Sequence, residues 1–160
     1  MRLTVYSDYS LRMLMYLALR PERLATIEEI ASAYGISRAH LMKVAHQLGQ
    51  MGFVSTVRGK GGGLRLAREP ITIGLGDVVR HTEPDFALVP CLSPGDGSCV
   101  IQPSCVLRHA IEQARDAFLS VLDCYTLADL TRPRGPLLGL LQIAPQPGVA
   151  SIQRRISPPT

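Results

Sequence analysis

Apolar side chains recur every three or four residues through the first half of this chain, and glycines interrupt the recurrence. Between residues 4 and 20, Leu11, Leu14, Met15 and Ala18 fall at helical spacing and Pro21 stands just beyond, which predicts a first amphipathic helix. Thr26-Ile27-Glu28-Glu29 has the form of a capping box and opens a second helix that turns Ile27, Ile30 and Ala31 inward. Gly35 ends that helix. After a short turn Ser37 caps a third, on which Leu41, Val44, Ala45 and Leu48 lie within roughly 100° of one another.

Beyond Gly52 the period changes. Phe53 to Val57 and Leu64 to Leu66 read as two strands around Arg58-Gly59-Lys60-Gly61-Gly62-Gly63, a hairpin with a basic, glycine-rich tip. Ile71 to Ile73 reads as an extended segment, and Gly76 to Thr82 as a short fourth helix. Residues 84–105 hold Pro84, Pro90, Pro94, Gly95, Gly97 and Pro103, too many breakers for regular structure, and form a long loop. From Cys105 onward Leu107, Ile111, Ala114, Phe118, Val121 or Leu122, and Tyr125 mark a long amphipathic helix. Residues 132–160 are rich in proline and show no clear period apart from the apolar run Leu137 to Ile143, so a loosely ordered tail is expected.

These elements predict a mostly α fold with a small β-hairpin wing. Residues 1–83 form a winged helix-turn-helix, 84–105 a loop, and 106–131 a dimerisation helix followed by a short terminal helix. A DNA reader of 160 residues gains specificity from two half-sites, which favours a homodimer built on the long helix.

Charge sharpens this picture. Residues 1–70 carry ten Lys/Arg against five Asp/Glu, whereas residues 71–160 carry seven against eight. A basic first half is the footprint of a polyanion, because Lys and Arg displace the counterions condensed on phosphates. Aromatic residues make up only 5% of the chain, with no Trp, which argues against a stacking platform for single strands and leaves double-stranded DNA.

On the third helix the expected contacts are Ser37, Arg38, Ala39, His40 and Lys43, since recognition helices reach base edges with their N-terminal residues. Arg58, Lys60 and Arg65 extend the contact to the wing, where glycines let the backbone approach a phosphate or enter a minor groove. Gly59-Lys60-Gly61 lacks the rest of a nucleotide loop. Paired carboxylates at useful spacing and a Ser/His/Asp arrangement are also missing, so no enzyme is expected. Arg2, Asp8, Arg12 and Arg20 interrupt the apolar start of the chain, against a signal peptide or membrane span, and a cytoplasmic protein is expected.

In a reducing compartment the four cysteines point to metal ligands, redox sensors or core residues rather than disulfides. Cys91, Cys99 and Cys105 are separated by seven and five residues, without the close Cys-x-x-Cys pair usual in structural zinc sites. An iron-sulfur cluster spreads its ligands over several irons and tolerates such gaps. A cubane would need one more ligand, from His109 or from an oxygen elsewhere. Cys124 lies about 28 Å along the helix axis from Cys105 and suits packing instead.

MRLTVYSDYSLRMLMYLA, ISRAHLMKVAHQLGQMGFVSTVRGKGGGLRL, IGLGDVVR and AFLSVLDCYTLADL together resemble the winged-helix iron-sulfur transcription regulators, over about residues 1–131. The resemblance implies that Cys91, Cys99 and Cys105 bind the cluster. In the nitric-oxide-sensing branch it further implies an aspartate at the position of Asp8, donated by the partner subunit, and favours a 4Fe-4S over a 2Fe-2S cluster. The expected function is then a repressor that leaves a palindromic operator when its cluster is nitrosylated. Two features depart from the family pattern. The first gap is seven residues where five is common, and Arg108 stands where the cluster-supply-sensing branch has a histidine. The latter difference, with YTLADL, favours the nitric-oxide branch. The alternatives are a cluster-supply sensor and a cluster-free thiol switch.

Overall fold

The computed structural model describes residues 2–93, 95 and 99–143, arranged as seven α-helices and one β-hairpin. Helix α1 spans Val5–Ala18, with Thr4 as its N-cap. Its buried face is made by Ser7, Ser10, Met13, Leu14, Tyr16, Leu17 and Ala18. Leu11 and Met15 are only half-buried, so the helix is rotated relative to the apolar stripe. Two small serines continue the inward face, a feature that apolar spacing does not reveal.

Helix α2 (Ile27–Tyr34) begins with the expected reciprocal cap: Glu29 N–H donates to Thr26 Oγ1 at 3.1 Å and Thr26 N–H to Glu29 Oε2 at 2.7 Å. Gly35 ends it in the left-handed region at φ 63°, where a glycine carries no Cβ penalty. Helix α3 (Arg38–Gln50) buries Leu41, Val44, Ala45 and Leu48, as their spacing predicts. Ser37 occupies the N-cap position, but its hydroxyl makes no capping bond.

Strands β1 (Val54–Val57) and β2 (Gly63–Leu66) pair antiparallel, with Val54 opposite Leu66 and Val57 opposite Gly63. Leu64 also exchanges both backbone hydrogen bonds with Ala25, at 2.8 and 2.9 Å, which ties the wing to the entry of α2. A Cβ at Gly63 would stand 2.8 Å from Ala25 O, so this close pairing needs glycine. Residues 70–72 form a 3-10 turn rather than the expected extended segment. Pro70 presets the helical φ, and Thr72 Oγ1 donates to Glu69 O at 2.8 Å.

Helix α4 (Leu75–Thr82) leads into the cysteine loop, and α5 (Val106–Asp123) leaves it. The chain then returns to the foot of α4: Leu75 N–H donates to Tyr125 O and Leu127 N–H to Ile73 O, each at 2.8 Å. Arg80 grips Asp123 through two bonds of 2.6 and 2.7 Å, which hold the Asp123 carboxyl below the usual carboxylate range. Gly76 makes room for that pair, since a Cβ there would overlap the Asp123 carboxylate.

Helix α6 (Leu127–Leu130) and helix α7 (Arg134–Leu140) complete the described chain. The beginning of the expected loose tail is therefore folded. Ile143 is buried and Leu137, Leu138 and Leu141 pack on the core, so the apolar run has a hydrophobic destination. Residues 144–160 lie outside the described residues. Among the described residues no helix is long and apolar enough to cross a membrane.

Phe53 is fully buried at the junction of α3 and the wing, with the Arg68 guanidinium 4.4 Å from its ring centroid and the His81 ring edge-on at 5.6 Å. Arg68 also donates to Gly52 O at 3.0 Å and Met51 O at 3.3 Å, so it serves the fold. Phe53→Ala is expected to lower the unfolding free energy by about 3–5 kcal/mol, measured by thermal or urea melting.

Candidate nucleic-acid interface and cysteine loop

Burying one side of α3 dictates what its other side shows. Ser37, Arg38, Ala39, His40 and Lys43 are all exposed, as are His46 and Gln50. Arg38 Nη1 lies 3.3 Å from Glu28 Oε2 of α2, with both side chains largely in solvent. Such an exposed pair is weak and yields readily to a phosphate. The His40 ring lies 6.1 Å from the Tyr9 ring, which seats the first turn of α3 on α1. Met42 was not among the expected contacts, yet it is 52% exposed on the same outward face. Its position three residues after Ala39 is the signal that finds it, and its apolar side chain suits a thymine methyl.

At the wing, Arg58, Lys60 and Arg65 are exposed. Gly59 and Gly61 adopt φ of 101° and 79°, and a Cβ on Gly62 would overlap Val57 O. The tip is thus a tight backbone turn carrying cations on both sides. Exposed cations on α3 and on the wing are the kind of groups that meet duplex DNA.

The three loop cysteines sit at three different local structures. Cys91 is in a 3-10 turn at Pro90–Leu92, which packs against α5. Cys99 precedes a second such turn at Gln102–Ser104. Cys105 is the N-cap of α5, where its Sγ accepts Arg108 N–H at 3.4 Å. All three are half-buried and carry no disulfide, and Cys124 is exposed at the other end of α5. Among the described residues no three His, Cys, Asp or Glu side chains are drawn into a group that could hold a metal ion. Pro94, Asp96, Gly97 and Ser98 of this loop lie outside the described residues. Asp8, in the first turns of α1, is half exposed and accepts from Arg12 Nε at 2.9 Å. His109 pairs with Gln113 at 3.1 Å.

Helix α5 has no fully buried residue. Its expected single stripe is divided: Ile111, Phe118 and Leu122 are half-buried, whereas Leu107, Ala114, Val121 and Tyr125 face solvent. With Ala110, Ala117 and Cys124 also exposed, the outward positions 107, 110, 114, 117, 121 and 124 follow a three-four spacing.

Residues 3–133 match the Rrf2 family, described as an iron-dependent transcriptional regulator. The chain belongs to the Rrf2 family. Among similar Rrf2-type relatives, the HTH-type transcriptional regulator NsrR of Bacillus subtilis strain 168 is 49% identical over 144 residues, covering 89% of this chain and 99% of that protein. The NsrR of Geobacillus kaustophilus is 47% identical over 143 residues, covering 89% and 97%. Of solved structures, CymR, the global cysteine regulator of B. subtilis, superposes with a TM-score of 0.67 at 28% identity, covering 81% of this chain and 95% of that one. IscR of T. potens superposes with a TM-score of 0.66 at 28% identity, covering 83% and 88%. This Rrf2 chain is a winged-helix, DNA-binding transcriptional regulator and not an enzyme.

Arg58→Ala and Lys60→Ala are each expected to reduce the slope of log affinity against log salt by about one, with melting unchanged. Fluorescence anisotropy on a labelled duplex measures this, and an unchanged slope removes the wing from the interface.

Proposed function

We propose that this regulator is a homodimeric repressor of the nitric-oxide-responsive kind. Cys91, Cys99 and Cys105 of one chain, with Asp8 of the partner subunit, hold an iron-sulfur cluster, 4Fe-4S in preference to 2Fe-2S. The observation that carries the reading is three unpaired, half-buried thiols on one loop beside a DNA-reading head, in a chain whose NsrR relatives match it over nearly their whole length. The donor set fits: thiolates are the usual ligands of such clusters, and a carboxylate is a harder, weaker ligand for iron. Once bound, the group supplies iron that nitric oxide can ligate.

The chain's own residues do the rest. The exposed face of α5 supports the dimer, because Ala110, Ala114 and Ala117 let two helices approach closely while Leu107 and Val121 fill the seam. A two-fold dimer presents two α3 helices to successive major grooves, about 34 Å or a multiple apart, and so reads a palindrome. Ser37, Arg38, Ala39, His40 and Lys43 contact DNA from α3, and Arg58, Lys60 and Arg65 contact it from the wing. A loop that ties two chains together fixes the distance between the heads, and untying it weakens binding.

A cluster-free thiol switch is the second reading, favoured because among the described residues no three metal-ligating side chains form a group. Iron and sulfide analysis of anaerobically purified protein separates the two. The expected result is stoichiometric iron, lost in Cys91→Ser, Cys99→Ser and Cys105→Ser and retained in Cys124→Ser. The loaded protein is also expected to bind a duplex selected from a random 30-base-pair pool at least about tenfold more tightly than the iron-free protein. Colourless, iron-free wild-type protein contradicts the cluster and supports the switch.

Ala114→Glu places a charge in the α5 seam and is expected to give a monomer in sedimentation analysis. A dimer unchanged by this substitution removes α5 from the interface.

A further inference from the structure

Glu83 joins the reading head to the cysteine loop. It ends α4, donating its N–H to Val79 O at 2.9 Å, and the chain beyond it runs directly towards Cys91. Its side chain reaches back to the start of α1. There Oε1 accepts the Thr4 N–H at 2.8 Å, the Thr4 hydroxyl at 3.0 Å and the Ser7 hydroxyl. Ser7 is completely buried.

This carboxylate completes a pattern that the chain elsewhere builds locally. Thr26 is capped by Glu29 and Thr126 by Asp129, each three residues on. In α1 the corresponding residue is Ser7, which has no carboxylate, and Glu83 supplies it from 76 positions away. An acidic group there satisfies free N–H donors and the positive end of the helix. The first turn of α1 therefore depends on where the root of the loop sits. Arg2, Leu3, Phe86, Leu88 and Phe118 line an adjacent cleft of about 310 Å³, so the loop, the residues leading into α1 and helix α5 converge at this point. From there α1 packs along α3, and Tyr9 meets His40 in the first turn of the recognition helix.

We propose that Glu83 is the positioning residue through which the state of the cysteine loop reaches the recognition helix. Rearranging the loop withdraws the carboxylate from Thr4 and Ser7, the first turn of α1 loosens, and the seat of His40 on Tyr9 shifts. The proposal rests on the iron-sulfur reading above, because it concerns what a change in that loop does to DNA affinity.

The test compares full-length wild-type, Glu83→Ala and Ser7→Ala proteins, each iron-loaded and iron-free, on the duplex selected by the wild type. Glu83→Ala is expected to load iron normally, while its loaded-to-free affinity ratio collapses from at least about tenfold to about twofold. Ser7→Ala cuts the same latch from the other side, so it lowers the ratio too and adds little in the double variant. Hydrogen exchange supplies a readout independent of DNA: in the iron-loaded proteins the amides of residues 5–8 exchange faster in Glu83→Ala than in the wild type, and the difference closes when both are iron-free, with the core of α3 unchanged. A wild-type ratio that survives in Glu83→Ala, or equal weakening of both forms, overturns the coupling alone. A wild type with no ratio overturns the proposed function and the coupling with it.

Discussion

Burial of Leu41, Val44, Ala45 and Leu48 is the constraint on which the exposed basic face of α3 depends. A helix that commits one face to the core presents the opposite face to solvent, and here that face holds Arg38, Ala39, His40, Met42 and Lys43. The residues beneath it belong to one apolar core shared with α1 and α2, so this exposed face stands on a rigid support. The wing is tied to the same core through Ala25 and Leu64, which keeps its cations at a fixed distance from those of α3. Packing thus decides where the charges stand.

The far side of the domain is built differently. Helix α5 is anchored at its C-terminal end by the Arg80–Asp123 pair and by the backbone bonds between residues 73–75 and 125–127. Its N-terminal end begins at Cys105, where the loop delivers it. One end of this helix is thus fixed to the reading head and the other to the cysteines, while its small-residue face remains outside the core.

How far the sequence foretold these features depends on how local their causes are. The capping box at Thr26, the left-handed Gly35, the inward face of α3 and the glycine-rich wing each arise within a few residues, and each was legible. The rotation of α1 was not, because Ser7 and Ser10 are buried without being hydrophobic, Ser7 against the distant Glu83. The Glu83 cap and the Arg80–Asp123 pair join residues 76 or more and 43 positions apart, beyond any periodicity. Helix α5 showed its apolar residues but not their division into a half-buried and an exposed set, since the two sets overlap within one heptad. At the cysteine loop the spacing named the sulfurs as candidates, while their arrangement in space is a property of the folded assembly that three sequence positions do not determine.

The central claim is that chemistry at the loop cysteines governs the grip of α3 on DNA. The most direct measurement titrates nitric oxide anaerobically into iron-loaded protein bound to a fluorescent duplex while following anisotropy and iron absorbance together. The account predicts that the anisotropy falls to the value of free duplex in step with the loss of the iron absorbance. Absorbance that is lost while the anisotropy holds would contradict it, leaving a DNA-binding regulator whose cysteines do not control it.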